Sequence, residues 1–261
     1  MNEDYLYIAV IQTDLSWENV QVNRDNFEKL FADLPAETDL IVLPEMFATG
    51  FSMNVKFCAE GMEGQTMSWL KSQAKQLGKV IAGSLMIKEN DKFFNRFVFV
   101  QPDQSVEYYN KRHLFSMGEE HLHFTPGIER KVFQLKSFRI LPQVCYDLRF
   151  PVFSRNRNDY DLMINCANWP APRQQVWDTL LKARAIENQA FVVGVNRIGK
   201  DDNGINYTGG SVILDAKGLE MAEAGTEAKI ISAKLSKQSL LNFRSRFPVL
   251  DDADPFEIVN D

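Results

Sequence analysis

The sequence predicts an α/β fold on three observations. Short β-branched apolar runs alternate with segments of helical period, the chain opens strand–helix–strand, and no Ser/Gly-rich linker, low-complexity block or fixed-period repeat divides it. A single domain over residues 1–261 follows.

Residues 6–11 form a short apolar run between polar residues, the mark of a buried strand. Val20, Phe27, Leu30 and Phe31 recur at roughly helical spacing, which predicts a helix over about 17–32. A second strand, 40–43, stops at Pro44-Glu45. Residues 66–77 read as an amphipathic helix ended by Gly78, and 79–87 as a strand. Strands over 93–100 and 105–109 are joined by the Pro102-Asp103 turn. From 110 to 127 no period is sustained, and Gly118, Pro126 and Gly127 break the pattern further. Ordered loops of that length are usually functional. The strand 139–144 runs straight into Cys145. Further strands are predicted at 161–166, 191–195 and 210–214, with a long helix over 174–189 separating the first two. The segment 247–261 is acidic and Pro-containing, and is expected to be an extended tail.

Composition narrows the function classes. Of 261 residues, 45% are hydrophobic and 25% charged, which suits a soluble globular protein with a substantial core. A net charge of -6 disfavours a nucleic-acid surface, because phosphate binding wants a basic face. No uninterrupted apolar stretch is long enough to span a membrane, and the N-terminus lacks the basic and apolar regions of a secretory signal. The three cysteines, Cys58, Cys145 and Cys166, match no disulfide framework and no four-ligand zinc spacing. A reduced, cytoplasmic setting is therefore expected.

Glu45, Lys111 and Cys145 each sit where a strand is predicted to end. Loops that follow strands converge at one edge of an α/β sheet, so the three could share a cleft. A thiol needs ionisation to act as a nucleophile, Lys111 could supply charge for an oxyanion, and Glu45 could take and return a proton. Singly, each residue also fits a structural role: a buried small thiol, a turn carboxylate and a surface lysine. His121 and His123 form an H-x-H pair without a third ligand of clear spacing, so no metal site is expected. Cys58 and Cys166 read as structural thiols.

The surrounding strings add more. Cys145-Tyr146-Asp147-Leu148-Arg149-Phe150-Pro151 resembles the nucleophile motif of the nitrilase, or carbon–nitrogen hydrolase, superfamily. Leu43-Pro44-Glu45-Met46-Phe47 resembles its glutamate motif, and Tyr109-Asn110-Lys111-Arg112-His113-Leu114-Phe115 its lysine motif. All occur in family order. Asn168-Trp169-Pro170 resembles the family's pocket loop, while Gly209-Gly210-Ser211 stands where many members carry Gly-His-Ser, leaving Ser211 a structural expectation. The ending Arg246-Phe247-Pro248-Val249-Leu250 resembles the omega-amidase branch.

The resemblance implies a four-layer α-β-β-α sandwich, commonly assembled as a homodimer. It implies Glu45 as general base, Lys111 as oxyanion stabiliser and Cys145 as nucleophile, with a thioester intermediate and no cofactor. A second glutamate is implied before Pro126-Gly127, at Glu120 or its neighbour Glu119. The backbone N–H of Tyr146 is a second oxyanion donor on this reading, and Trp169 belongs to the pocket. Arg173, beside that loop, suits a substrate carboxylate, and a surface role equally. The implied substrate is a small ω-amido acid, foremost 2-oxoglutaramate. Alternatives are N-carbamoyl amino acid hydrolysis, or a non-catalytic binding protein on the same scaffold. A true nitrilase fits less well, since those usually carry Trp-Glu where this chain has Tyr146-Asp147.

Overall fold

The computed structural model describes residues 4–258, so residues 1–3 and the last part of the expected tail, 259–261, lie outside the described residues. In chain order the first half carries β1 (Tyr5–Gln12), α1 (Val20–Phe31), β2 (Leu40–Val42), α2 (Val55–Cys58), α3 (Gln65–Leu77), β3 (Val80–Glu89), β4 (Lys92–Val100), β5 (Val106–Asn110) and α4 (Glu120–His123). There follow β6 (Phe133–Leu135), β7 (Phe138–Val144), α5 (Pro151–Ser154), β8 (Leu162–Ala167), α6 (Gln174–Asn188) and β9 (Phe191–Asn196). The chain continues through β10 (Ile198–Lys200), β11 (Asn206–Thr208), β12 (Val212–Leu214), β13 (Glu220–Glu223), β14 (Lys229–Ser236) and α7 (Lys237–Arg246).

Two six-stranded sheets result, ordered β14-β1-β2-β3-β4-β5 and β13-β12-β9-β8-β7-β6, and β10 and β11 form a separate ribbon. Each sheet is mixed: β1, β2 and β3 run parallel, as do β7, β8 and β9, and the outer strands are antiparallel. Strand alternation sorts the core. Leu6, Ile8 and Val10 of β1 face the second sheet in one cluster with Ile140, Met163, Val193, Trp177 and Leu181. Ile11, Ile41, Ile81 and Val98 turn outward to pack on Phe27 and Phe31 of α1 and Met67, Leu70 and Ala74 of α3. The layers are therefore helix, sheet, sheet, helix.

The expected strands and the long helices are present, with shifted ends. The first helix starts at Val20 because the Asn19 side chain caps it, accepting from Val22 N at 3.2 Å. α3 stops where Gly78 takes φ +66°. The strand expected at 210 begins at Val212, since Gly209 and Gly210 both adopt positive φ. The tail is not simply extended: residues 249–252 form a 3-10 turn, Leu250 is buried and Ile258 packs on the core. The irregular stretch after β5 also holds a 3-10 turn, Ser116–Gly118, before α4. Sequence reading missed β6, the β10–β11 ribbon, β13, β14 and α7.

Candidate active site

Strand ends supply the site. Glu45 follows β2, Lys111 follows β5, Cys145 follows β7 and Asn168 follows β8. Backbone strain marks the same places. Cys145 itself has φ +47°, Met46 beside Glu45 has φ +43°, and Glu119 beside Glu120 has φ +58°. Non-glycine residues hold that region at a cost of about 1–3 kcal/mol each, and do so where surrounding contacts over-determine them.

Glu45, Lys111 and Glu120 are fully or almost fully buried and form one cluster. Lys111 Nζ donates to Glu45 Oε1 at 2.9 Å and to Glu120 Oε1 and Oε2 at 3.0 and 2.9 Å. Asn95 Nδ2 bridges the two carboxylates, at 2.8 Å from Glu45 Oε1 and 3.0 Å from Glu120 Oε1. Phe115 N donates to Glu120 Oε2 at 2.6 Å, and Asn168 N to Glu45 Oε2 at 2.8 Å. Each carboxylate oxygen accepts about two hydrogen bonds. Glu120 is thus saturated, whereas Glu45 Oε2 keeps one acceptor position, toward the Cys145 thiol.

Electrostatics follow from burial. Desolvation pushes the Cys145 thiol well above its ordinary value, the Glu45 carboxylate pushes the same way, and Lys111 opposes both. Cys145 therefore favours the thiol over a preformed thiolate. Burial alone would lower Lys111, but Glu120, Glu45 and Cys145 hold its pKa well above the usual lysine range. Burial also raises Glu120, against the opposing charge of Lys111. Its four donor contacts nevertheless require the acceptor-only, ionised form, and that geometry is the stronger argument at neutral pH.

Asp147 ties the lysine arm to the cysteine turn. Its Oδ2 accepts from Tyr109 Oη at 2.9 Å and Val144 N at 3.0 Å, and its Oδ1 from His113 N at 3.0 Å with His113 Nδ1 at 2.7 Å. The lysine arm is also held from behind by Gly127, whose N donates to Lys111 O at 2.8 Å; a Cβ there would lie 2.1 Å from Asn110 O. Only glycine permits that approach.

A cavity of about 710 Å³ opens on Cys145, lined also by Tyr146, Trp169, Phe115, Arg149 and Arg173. Arg149 lies over the Trp169 ring at 5.5 Å and Arg173 over Phe115 at 5.2 Å. Among the described residues neither guanidinium has a carboxylate partner. The Trp169 loop is fixed through Asn196, whose Oδ1 accepts from Trp169 N at 2.8 Å and whose Nδ2 donates to Trp169 O at 3.0 Å. Ser211 Oγ in turn accepts from Asn196 N at 3.0 Å, a structural position.

Glu45, Lys111, Glu120 and Cys145 therefore come together, and Tyr146, Trp169 and Arg173 line the adjoining cavity. Of the two candidate glutamates Glu120 bonds Lys111, while Glu119 lies exposed at the cavity mouth. Cys58 is buried away from the cluster, where burial pushes it up to about 11, and Cys166 is buried on β8 beside Ser84, within electrostatic reach of Glu45. Among the described residues no group of His, Cys, Asp and Glu is arranged to hold a metal ion. Sequence reading missed Asn95 and Arg149. A signal existed for the first: Asn95-Arg96 interrupts an otherwise apolar strand, and a polar residue buried in a strand needs a partner.

A family model described as carbon-nitrogen hydrolase matches residues 7–244. The omega-amidase YafV of Yersinia enterocolitica is 48% identical over 254 residues, 96% of this chain and 98% of that protein. A 2-oxoglutaramate amidase of Bacillus subtilis (strain 168) is 33% identical over 250 residues, 94% of this chain and 96% of that one. XC1258 from Xanthomonas campestris, a CN-hydrolase superfamily protein solved with an arsenic adduct in its active site, superposes with a TM-score of 0.95. It is 41% identical, with 98% of this chain and 99% of that chain covered.

Proposed function

The chain belongs to the carbon-nitrogen hydrolase family, as an amidase, and from that membership we propose that Cys145 attacks the carboxamide carbon of a small ω-amido acid. Glu45 Oε2 takes the thiol proton through its open acceptor position as the C–S bond forms. Lys111, chelating Glu120 through one shared N–H, turns another toward the oxyanion. The N–H of Tyr146, in the first turn after the strand where such groups lack helical partners, is the second donor. The C–N bond breaks as Glu45 returns the proton to the leaving nitrogen, releasing ammonia. Water then attacks the thioester, giving Glu45 a proton that passes to the departing sulfur. The products are a carboxylic acid and ammonia, with no metal or cofactor in any step. Glu120, saturated by donors, orients Lys111.

The observation that carries this reading is a buried thiol beside a carboxylate oxygen that takes only one backbone N–H, in a cavity whose two arginines have no carboxylate partner among the described residues. Those arginines suit a substrate carboxylate, with the Arg173 fork as the leading clamp and Arg149 as its partner. Relatives named omega-amidase and 2-oxoglutaramate amidase support 2-oxoglutaramate as substrate, yielding 2-oxoglutarate. The reading includes a homodimer of single-domain chains in the cytoplasm.

Ammonia release tests the substrate class. 2-Oxoglutaramate and succinamate should exceed butyramide in kcat/KM by roughly tenfold to a hundredfold, since a charge-assisted hydrogen bond contributes about 1.5–3 kcal/mol. Arg173→Met should erase the preference mainly through KM, because the clamp lies away from the reacting carbon. Butyramide turned over as well as succinamate would overturn the substrate class, and preferential turnover of N-carbamoyl amino acids would replace it.

A further inference from the structure

Two carboxylates, Glu45 and Glu120, lie side by side in a fully buried site with one lysine between them. Like charges that close repel, and burial favours protonating one of them. A carboxylate that must accept a proton in the reaction cannot begin the cycle already protonated.

Asn95 answers this. The residue is buried on β4, and its own carbonyl accepts from Lys111 N at 2.9 Å, so it is fixed to the lysine arm. Its amide hydrogens both go to carboxylate oxygens. Its Oδ1 accepts from Ser84 Oγ at 2.8 Å, and Ser84 Oγ in turn accepts from Met46 N at 2.9 Å. The Ser84 hydroxyl hydrogen goes to Asn95 Oδ1, while its oxygen takes the Met46 N–H. With Oδ1 held by that hydroxyl, the amide turns its NH2 toward the two acceptor-only carboxylates. The chain of bonds starts at the backbone next to Glu45 and ends on the Glu45 side chain.

Resting on the catalytic reading above, we propose that Asn95, oriented by Ser84, is a positioning residue that keeps the Glu45–Glu120 pair charged and leaves Glu45 Oε2 as the proton acceptor. The groups facing the pair are Lys111, the Cys145 thiol, the Cys166 thiol on β8 and the Tyr207 phenol on β11. Only Lys111 among them carries positive charge. Asn95 is the neutral donor that spans both carboxylates.

The test is the pH dependence of Cys145 alkylation by iodoacetamide, which reads thiol activation whatever the physiological amide is. Asn95→Ala should slow alkylation about tenfold or more at neutral pH and move the acid limb to higher pH by about one unit, as expected when a charged form loses hydrogen bonds. Ser84→Ala, a smaller change in case the first variant does not fold, should move the limb the same way by less. Circular dichroism and thermal melting identify the folded variants. A folded variant with its acid limb unmoved overturns the inference, even if it is less stable. Wild-type protein alkylated at Cys58 or Cys166 rather than Cys145 would instead overturn the catalytic reading.

Discussion

The thiol of Cys145 is harder to ionise than a free cysteine, so its reactivity depends on a base within reach rather than on standing thiolate. Cys145→Ala should abolish turnover while leaving a folded protein that still binds substrate, as calorimetric titration with 2-oxoglutaramate would register. Glu45→Gln and Lys111→Ala should each lower kcat by on the order of a hundredfold or more, since each removes a charge used in the transition state. Neither should lower activity further in a Cys145→Ala background, because the three act as a unit. Near-normal steady-state rates in either single variant would remove that residue from the mechanism. Glu45, Lys111 and Cys145 can be singled out because each stands in an ordered motif, whereas Glu120 is offered only by its place before Pro126-Gly127, with Glu119 as its competitor. Asn95 and Arg149 were not singled out. The Asn95-Arg96 interruption of an apolar strand shows that a buried polar residue needs a partner, but not which one, and nothing in the string marks what Arg149 faces across the cavity.

At the scale of elements, α7 shows where sequence patterning runs out. Leu240 alone of this helix is fully buried, with Phe243 partly buried beside it, so its apolar stripe is short and easily missed. Charge docks it as well: Lys237 and Arg244 both bond Asp161, which also takes Arg139 at 3.0 Å, and the aspartate side chain is fully buried. β14 did carry a signal, since Ile231, Ala233 and Leu235 alternate with polar residues, and it pairs with β1 along its length. Burial would raise Asp161, but hydrogen bonds from Arg139 and Lys237 outweigh it and bring its pKa down to about 2. A depressed carboxyl stabilises the fold fully above its unfolded value of about 3.9 and loses that contribution as pH falls through about 2. Asp161→Asn should therefore cost on the order of 2 kcal/mol at pH 7 in urea titration, with the difference from wild type narrowing between about pH 4 and 2. A constant difference across that window would show that the docking does not depend on the carboxylate charge.

For the whole molecule, the alternation of apolar runs foretold an α/β class, and the layering came from the family resemblance. Periodicity alone does not say that strands from distant parts of the chain form two sheets back to back. The tail reads differently in three dimensions as well: Leu250 and Ile258 pack against the body while Phe247 stays 61% exposed. Leu241 on α7 and Ile186 on α6 are exposed as well. The protein should sediment as a homodimer at micromolar concentration, and removal of residues 247–261 should weaken association or solubility. The same truncation should alter the far-ultraviolet spectrum little. A monomer by light scattering would refute the dimer without touching the chemistry.

Acyl transfer to one cysteine is the claim on which the rest depends, and trapping that acyl group tests it most directly. Protein quenched in acid during turnover of succinamate, digested and analysed by mass spectrometry, should carry the succinyl mass on the peptide containing Cys145. The adduct should disappear in Cys145→Ala and accumulate when the hydrolysis half-reaction is slowed. Ammonia released at full rate with no adduct on any cysteine, or with the acyl group on Cys58 or Cys166, would contradict the account.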